Sequence, residues 1–319
     1  MNNPSVAFID KLYSQDIPYQ QERQVDANGL KINYDSFGDP SHPPMILVMG
    51  LGTQMIHWDD NFCKLLASQG FWLVRFDNRD IGRSTWLNEL PTPGLMAFLR
   101  NTWFGSSLNA PYLLNDMADD TLALMDALDI EKGHIVGASM GGMIAQCVAL
   151  KATERVISLT SIMSTTGDRS LPKAKKRVGM TLLRPLPKDI EQYIEQSLSV
   201  WQMLHTENFP FEPQRIKKLL RYSRERGFSP AGVKRQLSAI IDSPDRTEQL
   251  KGLMTPSLVI HGDQDPLVPV ECGYATAEAL PNAQLKILKG MGHTLPIQLW
   301  SDISQGIVDL ARSSALQPT

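Results

Sequence analysis

The strongest constraint in this chain is a rhythm. Nearly unbroken apolar runs recur at residues 45–49, 71–76, 134–137, 156–162, 257–260 and 284–288. Amphipathic stretches at 61–69, 115–128, 140–151 and 270–280 fall among them. An apolar run without polar alternation suits a strand covered on both faces, as in a parallel sheet whose crossovers are helices. The alternation predicts a βαβ architecture. Two earlier segments, 20–25 and 30–37, flank Asp26-Ala27-Asn28-Gly29, which predicts a hairpin and hence an antiparallel edge.

The rhythm breaks between residues 165 and 242. Pro172, Pro185 and Pro187 come first, then helical periodicity over 190–204 and 212–226, with Gly227 as a stop. Ser229-Pro230 restarts a helix, serine as N-cap and proline at the first position. A helical block between two halves of a parallel sheet predicts a cap over the sheet's active edge. The expected division is a core of 20–164 and 243–312, a cap of 165–242 and an N-terminal extension of 1–19.

Bulk properties narrow the function classes. The 319 residues are 42% apolar and 20% charged, the balance of a globular protein with a sizeable core. Thirty-one basic against 34 acidic residues leave a net charge of −3, which gives no electrostatic case for nucleic acid. Cys63, Cys147 and Cys272 form no CxxC pair, and an odd number suits a reducing compartment. Residues 1–20 have neither the basic start nor the apolar run of a signal peptide. No apolar stretch approaches bilayer length. The expectation is a cytoplasmic protein away from the membrane, monomeric or homodimeric.

Four loops carry chemistry. Gly137-Ala138-Ser139-Met140-Gly141 follows a predicted strand and opens a helix. G-x-S-x-G places a serine on a strained strand-to-helix turn, where bulky neighbours two residues away would strike the backbone. The helix N-terminus behind it favours the negative charge of acyl transfer. His261-Gly262-Asp263-Gln264-Asp265-Pro266 follows the strand at 257–260, and Asp265 can orient a histidine, with Asp263 the competing acid. Gly290-Met291-Gly292-His293 follows the strand at 284–288 and supplies that histidine. Met49-Gly50-Leu51-Gly52 follows the strand at 45–48, and its Leu51 N–H with that of Met140 forms the expected oxyanion hole. Gly50, Met163 and Trp201 are the expected substrate contacts.

With these residues in place, the chain resembles the α/β-hydrolase superfamily from about residue 25 to 310. The order Ser139, Asp265, His293 matches, as do GASMGG, HGDQDPLVP and GMGH. Residues 76–84, FDNRDIGRS, look like the family's D-x-R-G-x-G-x-S loop, and RFDNRDIGRST with GASMGG is most similar to aclacinomycin methylesterase-like hydrolases. The resemblance implies a mostly parallel eight-stranded sheet with helices on both faces. It also implies hydrolysis of a small-molecule carboxylic ester without cofactor or metal. Two departures stand out. The family's histidine-glycine pair before the oxyanion loop is Met49-Gly50, so a supporting hydrogen bond is expected to be missing. Asp80 replaces the first glycine of D-x-R-G.

Serine at position 139 argues against the halide- and epoxide-processing members, which have aspartate there. Acyltransfer, C–C hydrolysis, perhydrolysis and a slow ligand receptor all keep serine. No G-x-x-x-x-G-K-[ST], G-x-G-x-x-G or H-E-x-x-H is present. His57 reads as a surface histidine rather than a pocket wall. The basic runs Lys173, Lys175, Lys176, Arg177 and Lys217, Lys218, Arg221, Arg224, Arg226 read as solvated faces.

Overall fold

A computed structural model describes residues 16–315 apart from Leu183 and Pro185. The extension expected over 1–19 therefore lies largely outside the described residues. Eight strands form one sheet in the order β1-β2-β4-β3-β5-β6-β7-β8. They are β1 (Tyr19–Ala27), β2 (Leu30–Phe37), β3 (Pro44–Val48), β4 (Trp72–Phe76), β5 (Gly133–Ala138), β6 (Val156–Ile162), β7 (Ser257–Gly262) and β8 (Ala283–Leu288). Only the pairings of β2 with β1 and β4 are antiparallel; the remaining neighbours run parallel. The hairpin turns on Asn28 and Gly29, both at positive φ (51° and 73°), as a tight two-residue connection requires.

Period-two alternation sorts the central strands between two cores. Ile46, Val48, Val74, Ile135, Leu159 and Val259 pack on one side of the sheet. Met45, Leu47, Leu73, Val136, Leu258 and Ile260 pack on the other. Of the helices, α1 (Asp60–Ala67) joins the second core; α2 (Leu95–Phe104), α3 (Leu114–Ala127) and α4 (Met140–Lys151) follow in the chain, and the last two join the first core. Both faces are covered, so the continuous apolar runs have a physical cause.

Between β6 and β7 the described residues form no strand. They form α5 (Lys176–Leu182), α6 (Ile190–His205), α7 (Pro213–Arg226), α8 (Pro230–Asp242) and the short α9 (Thr247–Leu250). Tyr193, Ile194, Ile216 and Leu220 give α6 and α7 a small core of their own. The last two helices among the described residues are α10 (Val270–Ala279) and α11 (Trp300–Ala315). No helix among the described residues is long and apolar enough to cross a membrane. All three cysteines are buried and free.

Two buried ion pairs join this helical segment to the loop after β4. Arg226 of α7, whose side chain is fully buried, pairs with Asp77 at 2.9 Å and with Glu22 of β1 at 2.9 Å. Burial opposes ionisation of Glu22, but hydrogen bonds from Arg226 and its charge overcome this and hold the carboxyl down at about 2. The basic run on α7 is therefore not uniformly solvated. Lys217 and Arg221 do lie at the surface, pairing with Glu195 and Glu191 of α6. Arg226, one turn further, turns inward. Arg235 of α8 pairs with Asp80 at 2.6 Å, both buried. Asp80 has φ +70°, so the aspartate that stands in place of glycine occupies a left-handed conformation. Arg235, the Tyr112 hydroxyl and the Leu87 N–H all bind its carboxylate and hold it there.

Candidate active site

Strands β3, β5, β7 and β8 are parallel, so the loops leaving their carboxyl ends emerge at one edge of the sheet, where ligands of such sheets bind. Ser139 leaves β5 with φ 56° and ψ −121°, a sparsely populated conformation for a residue with a Cβ. The glycines around it are required by contact. A Cβ on Gly137 would lie 2.1 Å from the Gly141 carbonyl oxygen, and one on Gly141 would lie 2.0 Å from that of Val48. Neither position tolerates a side chain, so the turn is tied to β3 as well as to its own helix.

The His293 ring bridges the other two loops. Its Nε2 lies 3.0 Å from Ser139 Oγ, and its Nδ1 lies 2.6 Å from Asp265 Oδ2. A carboxylate accepts only, so Nδ1 carries the proton and donates it to Asp265. That leaves the Nε2 lone pair to accept from the serine hydroxyl. Asp265 is fixed in turn, because its Oδ1 accepts the N–H groups of Leu267 and Val268 at 2.8 and 2.9 Å. Asp263, the competing acid, is engaged elsewhere. Its Oδ1 accepts the Gly290 N–H at 2.6 Å and ties the acid loop to the histidine loop. His261, also buried, donates from Nε2 to the Val268 carbonyl. Desolvation lowers its pKa, so it remains neutral beside Asp265.

The helical segment touches the histidine loop directly. The His293 N–H donates to the Leu204 carbonyl at 2.8 Å. Thr206 Oγ1 donates to the Gly290 carbonyl at 2.9 Å. A Cβ on Gly292 would lie 2.1 Å from the Leu204 oxygen, so glycine is what lets the end of α6 approach. None of these contacts had a signal in the sequence.

Gly50 stands beside the serine; a Cβ built on it would sit 3.1 Å from Ser139 Cβ. Among the described residues, the N–H groups of Leu51 and Met140 have no protein acceptor. A cavity of about 90 Å³ opens against His293 and is walled by Met49, Met163, Trp201, Phe211 and Trp300 among others. His57 is part of that wall, which corrects its reading as a surface residue. Its ring stacks on Trp201, centroids 5.5 Å apart, and burial pushes its pKa down to about 4. Of the methionines near the loops, Met55, Met140 and Met143 are core residues, whereas Met163 faces the cavity.

The arrangement can activate a hydroxyl for nucleophilic attack, because an imidazole oriented by Asp265 stands within hydrogen-bond reach of it. The family model described as alpha/beta hydrolase fold matches residues 43–298. Two similar proteins are rhodomycin D methylesterases, from Streptomyces sp. (strain C5) and Streptomyces peucetius. Each is 26% identical, with 92% of this chain and 99% of the relative covered. Among solved structures, a meta-cleavage product hydrolase of Pseudomonas fluorescens IP01 superposes with TM-score 0.70 at 20% identity, covering 92% of this chain and 98% of its own. An esterase from Thermogutta terrifontis does so with TM-score 0.68 at 22% identity, covering 92% and 99%.

Proposed function

The chain belongs to the α/β-hydrolase fold family, and from that premise we propose that it hydrolyses carboxylic esters through a Ser139 acyl-enzyme. The observation that carries the reading is the hydrogen-bonded chain from Asp265 through His293 to Ser139. His293 Nε2 removes the hydroxyl proton as Oγ attacks the ester carbonyl, and Asp265 stabilises the imidazolium that forms. The N–H groups of Leu51 and Met140 receive the developing oxyanion. The tetrahedral intermediate collapses as His293 gives its proton to the departing alcohol. Water, activated by the same imidazole, then releases the acid.

Residues 165–242 act as a cap in this reading. Their small core, their latches at Asp77 and Asp80 and their grip on the histidine loop support it. Gly50, Met163 and Trp201 contact substrate, Gly50 at the serine and the other two from the cavity wall. The methylesterase names of the two Streptomyces relatives favour an ester with a small alcohol.

The test is multiple-turnover hydrolysis by purified protein of a panel of methyl and p-nitrophenyl carboxylic esters. We expect acid and alcohol in equal amounts over many turnovers. A single equivalent of alcohol followed by arrest, or no turnover on any ester, contradicts the reading.

A further inference from the structure

The loop after β3 lacks the histidine that the family resemblance leads one to expect, yet it is held from three directions. Asn78 Nδ2 donates to the Met49 carbonyl at 2.9 Å. At the far end, Gln54 Nε2 donates to the carbonyls of Ser223 and Gly227 at 2.6 and 2.7 Å, both at the end of α7. Between them, Gln236 of α8 is completely buried and uses both ends of its amide. Its Oε1 accepts the Gly52 N–H at 2.9 Å, and its Nε2 donates to the Arg79 carbonyl at 2.7 Å. The amide orientation is fixed chemically, since a backbone N–H can only donate and a carbonyl can only accept. Gly52 sits at φ +65°, with the Val233 side chain 3.2 Å from where its Cβ would be. Hence α8 presses on the loop and hydrogen-bonds it at one residue.

We propose that Gln236 is a positioning residue for ester hydrolysis: from the helical segment it sets the Gly50–Gly52 backbone so that the Leu51 N–H meets the oxyanion. The proposal rests on the reading of Leu51 as an oxyanion donor. Gly52 is the next residue along, so the peptide plane that carries the Leu51 N–H lies one Cα away from the one Gln236 holds. A hydrogen bond at Gly52 therefore restricts the Leu51 dihedrals that decide where its own N–H points. Glutamine suits the place because it can accept from Gly52 while donating to Arg79. Methionine of similar length does neither, and an ionised glutamate only accepts. Gln236 carries this out from a position 184 residues away in sequence, so hydrolysis depends on the helical segment being seated.

The test uses the full chain with Gln236→Met and Gln236→Glu. For Gln236→Met we expect kcat on p-nitrophenyl acetate to fall about 10- to 30-fold, less than the loss of a whole oxyanion donor. KM should stay within about twofold, because the Gly52 bond serves the transition state more than the ground state. Affinity for a trifluoromethyl ketone, whose adduct carries the oxyanion, should fall by the same factor as kcat. For Gln236→Glu we expect a smaller deficit, which shrinks relative to wild type as pH is lowered and the new carboxyl regains a proton to donate to Arg79. If Gln236→Met does not fold, this pH-dependent ratio decides alone. Unchanged kcat and inhibitor affinity in Gln236→Met, or a flat ratio in Gln236→Glu, overturns the proposal. The crystal structure of the wild-type phosphonate adduct separates the two levels. A phosphoryl oxygen within hydrogen-bond reach of the Leu51 and Met140 nitrogens supports the underlying reading, leaving any failure to Gln236 itself. An oxygen placed elsewhere sinks both.

Discussion

Replacing Ser139 with alanine is expected to lower ester turnover by about 10⁴-fold or more, with the fold unchanged. The expectation follows from what the Oγ does in this structure. It makes no cap bond to the helix that Ser139 precedes, and its side-chain partner is the imidazole of His293. Removing it therefore costs little stability, while the hydroxyl aligned with a poised imidazole disappears. The strained φ of Ser139 is borne equally by alanine, so thermal denaturation should superimpose on wild type within a few degrees. Residual activity from the oxyanion hole and binding alone is expected to remain measurable. Turnover within tenfold of wild type would exclude Ser139 as the nucleophile.

Replacing Arg235 with methionine is expected to have the largest effect on stability, about 3–5 kcal/mol by urea denaturation. The ion pair is buried on both sides, with side-chain exposures of 1% and 0%. Losing the guanidinium strands the Asp80 carboxylate in a dry site, with Tyr112 and a backbone N–H as its remaining donors. That stranded charge, rather than the lost attraction, supplies most of the cost. The double variant Asp80→Gly with Arg235→Met should accordingly recover about 2 kcal/mol or more of the loss. Glycine removes the charge and adopts the +70° φ without a Cβ penalty. A single variant within about 1 kcal/mol of wild type, or a double variant no better than the single, contradicts this account.

Each expected strand matches one in the structure to within a residue or two: the central ones are apolar runs whose burial on both faces leaves them no other use, whereas β1 and β2, mixed in polarity, were marked by the turn residues between them. The helix Met140–Lys151 was equally legible. The C-terminal helix Trp300–Ala315 was not among those expected, although Trp300, Ile303, Ile307 and Val308 carry its buried stripe. The four residues of Thr247–Leu250 are too few to display a period. The loops bearing Ser139, Asp265 and His293 stood out because each announces itself locally, as glycine-rich or acidic residues directly after a strand. His57 and Arg226 were misjudged for the opposite reason. Nothing near either in sequence says that Trp201 stacks on one or that Glu22 and Asp77 surround the other. Gln236 had no motif at all; its importance is created entirely by tertiary contact with Gly52 and Arg79.

The central claim, that Ser139 is made nucleophilic by His293, is tested most directly by stoichiometric labelling with an activated fluorophosphonate and mass analysis of the digested protein. The account predicts one equivalent of label on the peptide carrying Ser139, none on that peptide in Ser139→Ala, and much slower labelling in His293→Ala. Label on a different residue, or equal rates with and without the imidazole, would contradict it.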